Sequence, residues 1–171
     1  MASRAQEVRI RRIIACFAPA RAGAPEAIAE LAKEMQAELL GLFIEDAELL
    51  RFAALPFAAE VGFPSATRRP LDLSAVERAL RAQASSLRQA LAAALDPAAI
   101  SWSLRVTRSS PASAVEAALA EGFAPSLLIP AGANPRAEYR VVRAADLGEA
   151  ELRALLAAAR PVVILRPGPA R

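Results

Sequence analysis

Two adjacent carboxylates, Glu45 and Asp46, follow an apolar run at residues 39–44. At the end of a strand such a pair could hold a cation or serve as acid and base. No third oxygen ligand stands nearby in sequence, so the expected arrangement is plainer. Asp46 caps the helix that follows, and Glu45 is solvated. Ser109, Ser110 and Ser113 form a second polar group that could supply a nucleophile. A serine nucleophile needs a base, and the chain contains 0 histidines. Ser110 precedes Pro111, and Ser113 has capping-box spacing to Glu116, so helix capping accounts for both. Cys16 is the 1 cysteine, which excludes an intramolecular disulfide and a cysteine cluster for zinc. Inside "RRIIACFAP" it reads as a buried structural thiol. No catalytic residue, no metal site and no cofactor is expected.

The stretch "LLIPAGANPRAEYR", residues 127–140, raises a different chemistry. A strand that ends in a glycine-bearing loop is where α/β proteins wrap backbone around a phosphate. Gly132, Asn134 and Arg136 are the candidate anion-binding residues here, arginine being suited to phosphate. A surface turn with ordinary arginines is the competing assignment. The familiar nucleotide motifs fail elsewhere in the chain. The segment after the first strand, "FAPARAGAPEA", has one glycine where a dinucleotide fingerprint needs three. The P-loop lysine is missing, as are the histidine pair of nucleotidyltransferases and the Ser-Gly-Gly loop of ATP pyrophosphatases.

These residues must be positioned by a fold, and 171 residues suit one domain, 1–171, with its core over about 9–166. No segment offers 18 strongly apolar residues, and the N-terminus lacks the apolar core of a signal peptide. A cytoplasmic protein without a membrane span is expected. The net charge is +3, with one lysine, Lys33, among the basic residues. Arg9, Arg11 and Arg12 form one cluster, Arg68 and Arg69 another. Neither is interleaved with aromatics, so both read as solvated surface, and no nucleic-acid partner is expected.

Short apolar runs at 10–17, 39–44, 126–129 and 161–165 read as buried strands. Residues 100–106 alternate, with Ile100, Trp102, Leu104 and Val106 on one face, which marks a half-exposed strand at a sheet edge. Helices are expected over 25–37, 46–54, 74–95, 111–122 and 146–159. Pro25 and Pro111 open two of them. Ser74 with Glu77, and Asp146 with Glu149, have capping-box spacing. Residues 56–70, with Pro56, Gly62, Pro64 and Pro70, read as a loop. Strands alternating with helices imply a doubly wound, Rossmann-like α/β fold: a five-stranded parallel sheet with helices on both faces. Phe52, Phe57 and Phe63 lie among few charges in segment 52–63. They offer either a surface for a protein partner or a short helix packed on the sheet edge.

With this order in hand, the chain resembles the universal stress protein family over about residues 11–166. The resemblance is carried by "SSPASAVEAALAEGFAPSLLIPAG", by "LLGLFIEDAELL" and by the closing "ARPVVILRP". Ser110 stands where the family has glycine and Ser126 where it has aspartate. The resemblance implies an adenine-nucleotide-hydrolase-like sheet ordered 3-2-1-4-5. Its ATP-binding members carry glycine, two residues, glycine, nine residues, then glycine with serine or threonine. Only Gly132 matches. Pro135 occupies the second glycine position and has no N–H to donate, and Ala145 with Asp146 fall at the closing pair. The acid that family members place after the first strand is missing from "APAR". A non-enzymatic, ATP-independent domain acting through homodimerisation or partner binding in stress response is therefore expected. The alternative is a sensor of the same fold that binds an adenine nucleotide or another anion through a divergent loop. Val162, Val163, Ile164 and Leu165, in the closing strand at the sheet's open edge, are the expected dimer interface.

Overall fold

The structure is a computed structural model that describes residues 8–19, 23–45, 47–56, 59–62, 67–70 and 72–166. The chain opens with β1 (Arg12–Phe17), α1 (Pro25–Met35) and β2 (Glu38–Ile44). Pro25 starts α1 where a missing N–H costs nothing. Gln36, at φ 50, ends it in the left-handed region. Ile28, Leu31 and Ala32 give α1 its buried stripe. β1 and β2 run parallel, with Ile13 opposite Leu39 and Phe17 opposite Phe43. Gly41 interrupts β2 because its neighbours already fill the space. A Cβ there would lie 2.9 Å from Leu104 and 3.4 Å from Phe17.

After β2 come α2 (Ala47–Ala53) and an antiparallel hairpin, β3 (Ala59–Gly62) with β4 (Thr67–Pro70). This antiparallel pair corrects the loop expected over 56–70, with Gly62 and Pro70 at the ends of its two strands. In α3 (Leu73–Leu95) the cap is Asp72, which accepts from the Ser74 N–H at 3.0 Å. The cap therefore lies two residues before the Ser74 expected to open the helix. Next come β5 (Trp102–Thr107), α4 (Pro111–Ala120) and β6 (Ser126–Ile129). Then follow β7 (Arg140–Arg143), a 3-10 turn at Ala144–Asp146, α5 (Glu149–Ala157) and β8 (Val162–Leu165). The cap of α5 is Gly148, so Asp146 does not open that helix as expected.

The main sheet has six strands in the order β5-β2-β1-β6-β8-β7. Alternating strands and helices give the expected α/β fold. The expected placement of the alternating strand holds: β5 is an edge, with Leu104 buried and Ser103 and Arg105 exposed. Two expectations are corrected. The sheet has a sixth strand, β7, and β8 runs antiparallel to β6. One cause explains both. The chain reverses through residues 130–139 before laying down β7, and the crossover helix α5 then makes β8 parallel to β7. β8 thus inherits a direction opposite to that of β6 and slots between β6 and β7. Its edge is closed on both sides, and Val162, Val163 and Ile164 are buried.

Alternation along the strands splits the core into two layers. Ile13, Ala15, Phe17, Leu39 and Leu127 pack beneath α1 and α3. Ile14, Cys16, Leu40, Leu128 and Ile164 pack against α4 and α5. Among the described residues, no helix is long and apolar enough to cross a membrane.

Candidate functional site

From β1 the sheet extends one way to β2 and β5 and the other way to β6. Ligands of open α/β sheets bind at such a switch, outside the carboxyl ends of the strands. A cavity of about 600 Å³ lies there. Cys16 and Ala18 line it from β1, and Ile44 and Glu45 from β2. Ser109 and Ser110 come from the turn after β5, Ala131 from the turn after β6, and Arg153, Leu156 and Ala157 from α5. Apolar atoms dominate the wall, as in most small-molecule sites.

Its polar groups are held in internal pairs. Glu45 is 5% exposed, which corrects the solvated position expected for it. Its Oε2 accepts from Arg108 Nε at 2.7 Å, and its own N–H donates to the Thr107 carbonyl at 2.8 Å. Arg108 reaches Glu77 as well, at 3.5 Å. Hydrogen bonding and charge from Glu45 raise the Arg108 pKa above its already high value. Ser110 caps α4 as expected, accepting from the Ser113 N–H at 3.2 Å and donating to the Ser113 hydroxyl at 2.9 Å. The Ser109 hydroxyl lies 2.9 Å from that of Thr107. Arg153 pairs with Glu149 one turn earlier in α5. Burial pushes the Cys16 thiol up to about 12, so at neutral pH it is a packed apolar group. Among the described residues, no group of three or more histidine, cysteine or acidic side chains could hold a metal ion.

The loop at 130–139 is built differently from a phosphate cradle. Gly132, at φ 76, occupies a turn closed by the Ala133 N–H on the Pro130 carbonyl at 3.1 Å. That left-handed conformation is what glycine supplies. The Asn134 side-chain oxygen accepts from the Arg136 N–H at 3.0 Å, and its carbonyl accepts from the Ala137 N–H at 3.1 Å. The Arg136 guanidinium grips Glu34 of α1 through two bonds of 3.0 and 2.6 Å. So Gly132, Asn134 and Arg136 lie together, but their bonds serve the turn and its attachment to α1. Ala145 and Asp146 lie in the 3-10 turn beyond β7.

Other singled-out residues fall as follows. Phe52 and Leu55 are exposed at the end of α2. Phe57, Phe63 and Asp46 lie outside the described residues. Arg12, expected on solvated surface, is largely buried instead. It donates to the Ala118 carbonyl at 2.8 Å and faces Glu38 and Glu121. Sequence reasoning missed Arg108 and Arg153 entirely. Nothing local marks Arg108, whose partner Glu45 stands 63 residues away.

This architecture defines an α/β domain with a mostly parallel sheet and an apolar crevice at its switch point. The chain matches no protein-family model and no curated protein. Among solved structures, it is similar to a protein from the universal stress protein family of Burkholderia pseudomallei, at 16% identity and a TM-score of 0.43. The likeness covers 89% of this chain and 94% of that one.

Proposed function

We propose that this chain is a non-enzymatic, stress-protein-like domain that acts by binding a small molecule, without ATP, at the carboxyl edge of its sheet. The observation that carries this reading is the apolar cavity of about 600 Å³ at the switch between β1 and β6. Its serines and arginines are committed to caps and ion pairs, an arrangement suited to shaping a ligand site rather than to moving protons. The segments that carry the sequence resemblance fall on β2 with α2, on α4 with β6, and on β8. A thermal-shift panel tests the reading, because a ligand raises the melting temperature by mass action. Apolar fragments are expected to stabilise the wild type but not Ala157→Trp, whose ring would fill the mouth from α5. Adenine nucleotides are expected to leave both unchanged. Stabilisation by ATP, or fragment effects unaltered by the tryptophan, would overturn it.

A second reading, homodimerisation, is favoured by the open edge of β7. The Arg140 N–H points inward to the Pro161 carbonyl at 3.3 Å. Strand alternation therefore turns the Val141 backbone outward. Tyr139 and Val141 are 52% and 54% exposed. An antiparallel two-fold at Val141 would set the two Val141 residues opposite each other and each Tyr139 opposite a partner arginine at position 143. That register covers both apolar side chains and avoids facing arginines.

A further inference from the structure

We infer that the groove beside β7 is a self-complementary docking surface for a second copy of this chain, with Arg140 of each copy meeting Asp146 and Glu151 of the other. The inference rests on the preceding reading that β7 joins two copies, and it names the charges that set their pairing. A groove of about 500 Å³ lies between β7 and α5. Val142, Leu147 and Leu155 give it an apolar floor continuous with the core layer against α4 and α5. Arg140 stands two residues before Val142 in β7 and so shares its face of the sheet. Arg140, Asp146 and Glu151 all line the groove, and all are exposed.

Along the groove the charges are sorted by sign. Arg140 opens β7, whereas Asp146 follows its far end and Glu151 lies in the first turn of α5. Among the described residues, these three side chains take part in no ion pair or hydrogen bond. Arg136 and Arg153, by contrast, each hold an acid of their own chain. A strand added antiparallel to β7 reverses the order of the charges. Pairing about Val141 sets Arg140 opposite the partner's Val142. One diagonal step along the same face is the partner's Ala144, where the chain turns into Asp146. A long side chain spans such a step. The positive end of each groove therefore meets the negative end of the other, once on each side of the two-fold. A parallel neighbour would set like charge beside like charge.

A charge swap, read by analytical ultracentrifugation, tests the pairing. Arg140→Glu sets like charges against each other at both contacts, and so does the double variant Asp146→Lys with Glu151→Lys. Each variant alone should dimerise at least about tenfold more weakly than the wild type. An equimolar mixture of the two should recover the wild-type affinity to within about threefold, because both contacts of the mixed dimer are again of opposite sign. If circular dichroism shows that either variant does not fold, Arg140→Gln replaces the swap. Added NaCl should then weaken the wild-type dimer, and the glutamine variant should lose most of that response. Variants that dimerise as tightly as the wild type, a mixture no tighter than its components, or a salt response that survives the glutamine overturns this inference and leaves the β7 dimer standing. A wild type that stays monomeric at concentrations on the order of tens of micromolar overturns the dimer itself.

Discussion

Arg136, in the loop after β6, and Glu34, in the last turn of α1, are joined by two hydrogen bonds across 102 residues of chain. The pair holds the Glu34 carboxyl below its usual range, chiefly through the hydrogen bond from Arg136. Both side chains are about half exposed, so the pair adds little to stability. Its effect is positional. It ties a loop to a helix and commits its arginine to Glu34.

That tie sets the first prediction. Calorimetry with ATP should give no measurable binding to the wild type. Arg136→Ala should not create binding, but it should speed hydrogen exchange at Ala133 and Ala137 by loosening the loop. Low-micromolar ATP affinity, or unchanged exchange in the variant, would contradict this account.

Arg108 and Arg105 sit in the same segment but differ in their partners. Arg108 faces Glu45, which is almost fully buried, whereas Arg105 faces the exposed Glu121. Removing one member of a pair costs most when the other is left buried. Arg108→Ala should therefore lower the urea midpoint further than Arg105→Ala does. Equal midpoints would place Glu45 in contact with water.

The Cys16 thiol gives stability a pH dependence with a definite sign. Its ordinary value is 9.0 and burial raises it to about 12. Between those values the unfolded chain releases the proton and the folded chain keeps it. The contribution is whole below 9.0 and is lost as pH rises toward about 12. Unfolding free energy should fall by about 1.4 kcal/mol more per pH unit in the wild type than in Cys16→Ala across that window. Urea unfolding at about pH 8 and about pH 10 measures the difference. Parallel slopes would mean that the thiol reaches solvent.

Val141→Pro removes a donor that points away from β8, so it should spare the fold and weaken any dimer. Light scattering at concentrations on the order of tens of micromolar should find a dimer for the wild type and a monomer for the variant. A monomeric wild type excludes the interface. A dimer indifferent to the proline moves it elsewhere, with Phe52 and Leu55 the next exposed apolar group.

Much of this fold is legible in the sequence because buried parallel strands read as unbroken apolar runs, as in "RIIACF" and "ELLGLFI". The edge position of β5 is legible from strict alternation. β7 is not, because "RVVR" offers only two apolar residues between arginines. Those same arginines suit an edge strand, which natural proteins guard with charge. The hairpin of β3 and β4 hides behind prolines that serve equally well as loop signals. The candidate site is less legible still. Its wall is assembled from β1, β2, α2, α4, α5 and the turns after β5 and β6. Its buried carboxylate is explained only by an arginine that the chain brings in from far downstream.

The insertion of β8 between β6 and β7 has a consequence for how the chain emerges during synthesis. β6 and β7 are both made before their shared neighbour, and each offers an unpaired edge until the closing residues arrive. The sheet is complete only when the C-terminal strand zips into a gap flanked on both sides. Parallel and non-local pairings of this kind are slow to form and leave sticky edges exposed meanwhile. A nascent chain stopped at residue 160 should hold β1, β2, β5 and β6 together, yet leave the amides of β7 unprotected in hydrogen exchange. Protection of β7 before β8 is made would show that the edge assembles without its centre. Otherwise the last four-residue strand of the main sheet acts as the latch of the domain.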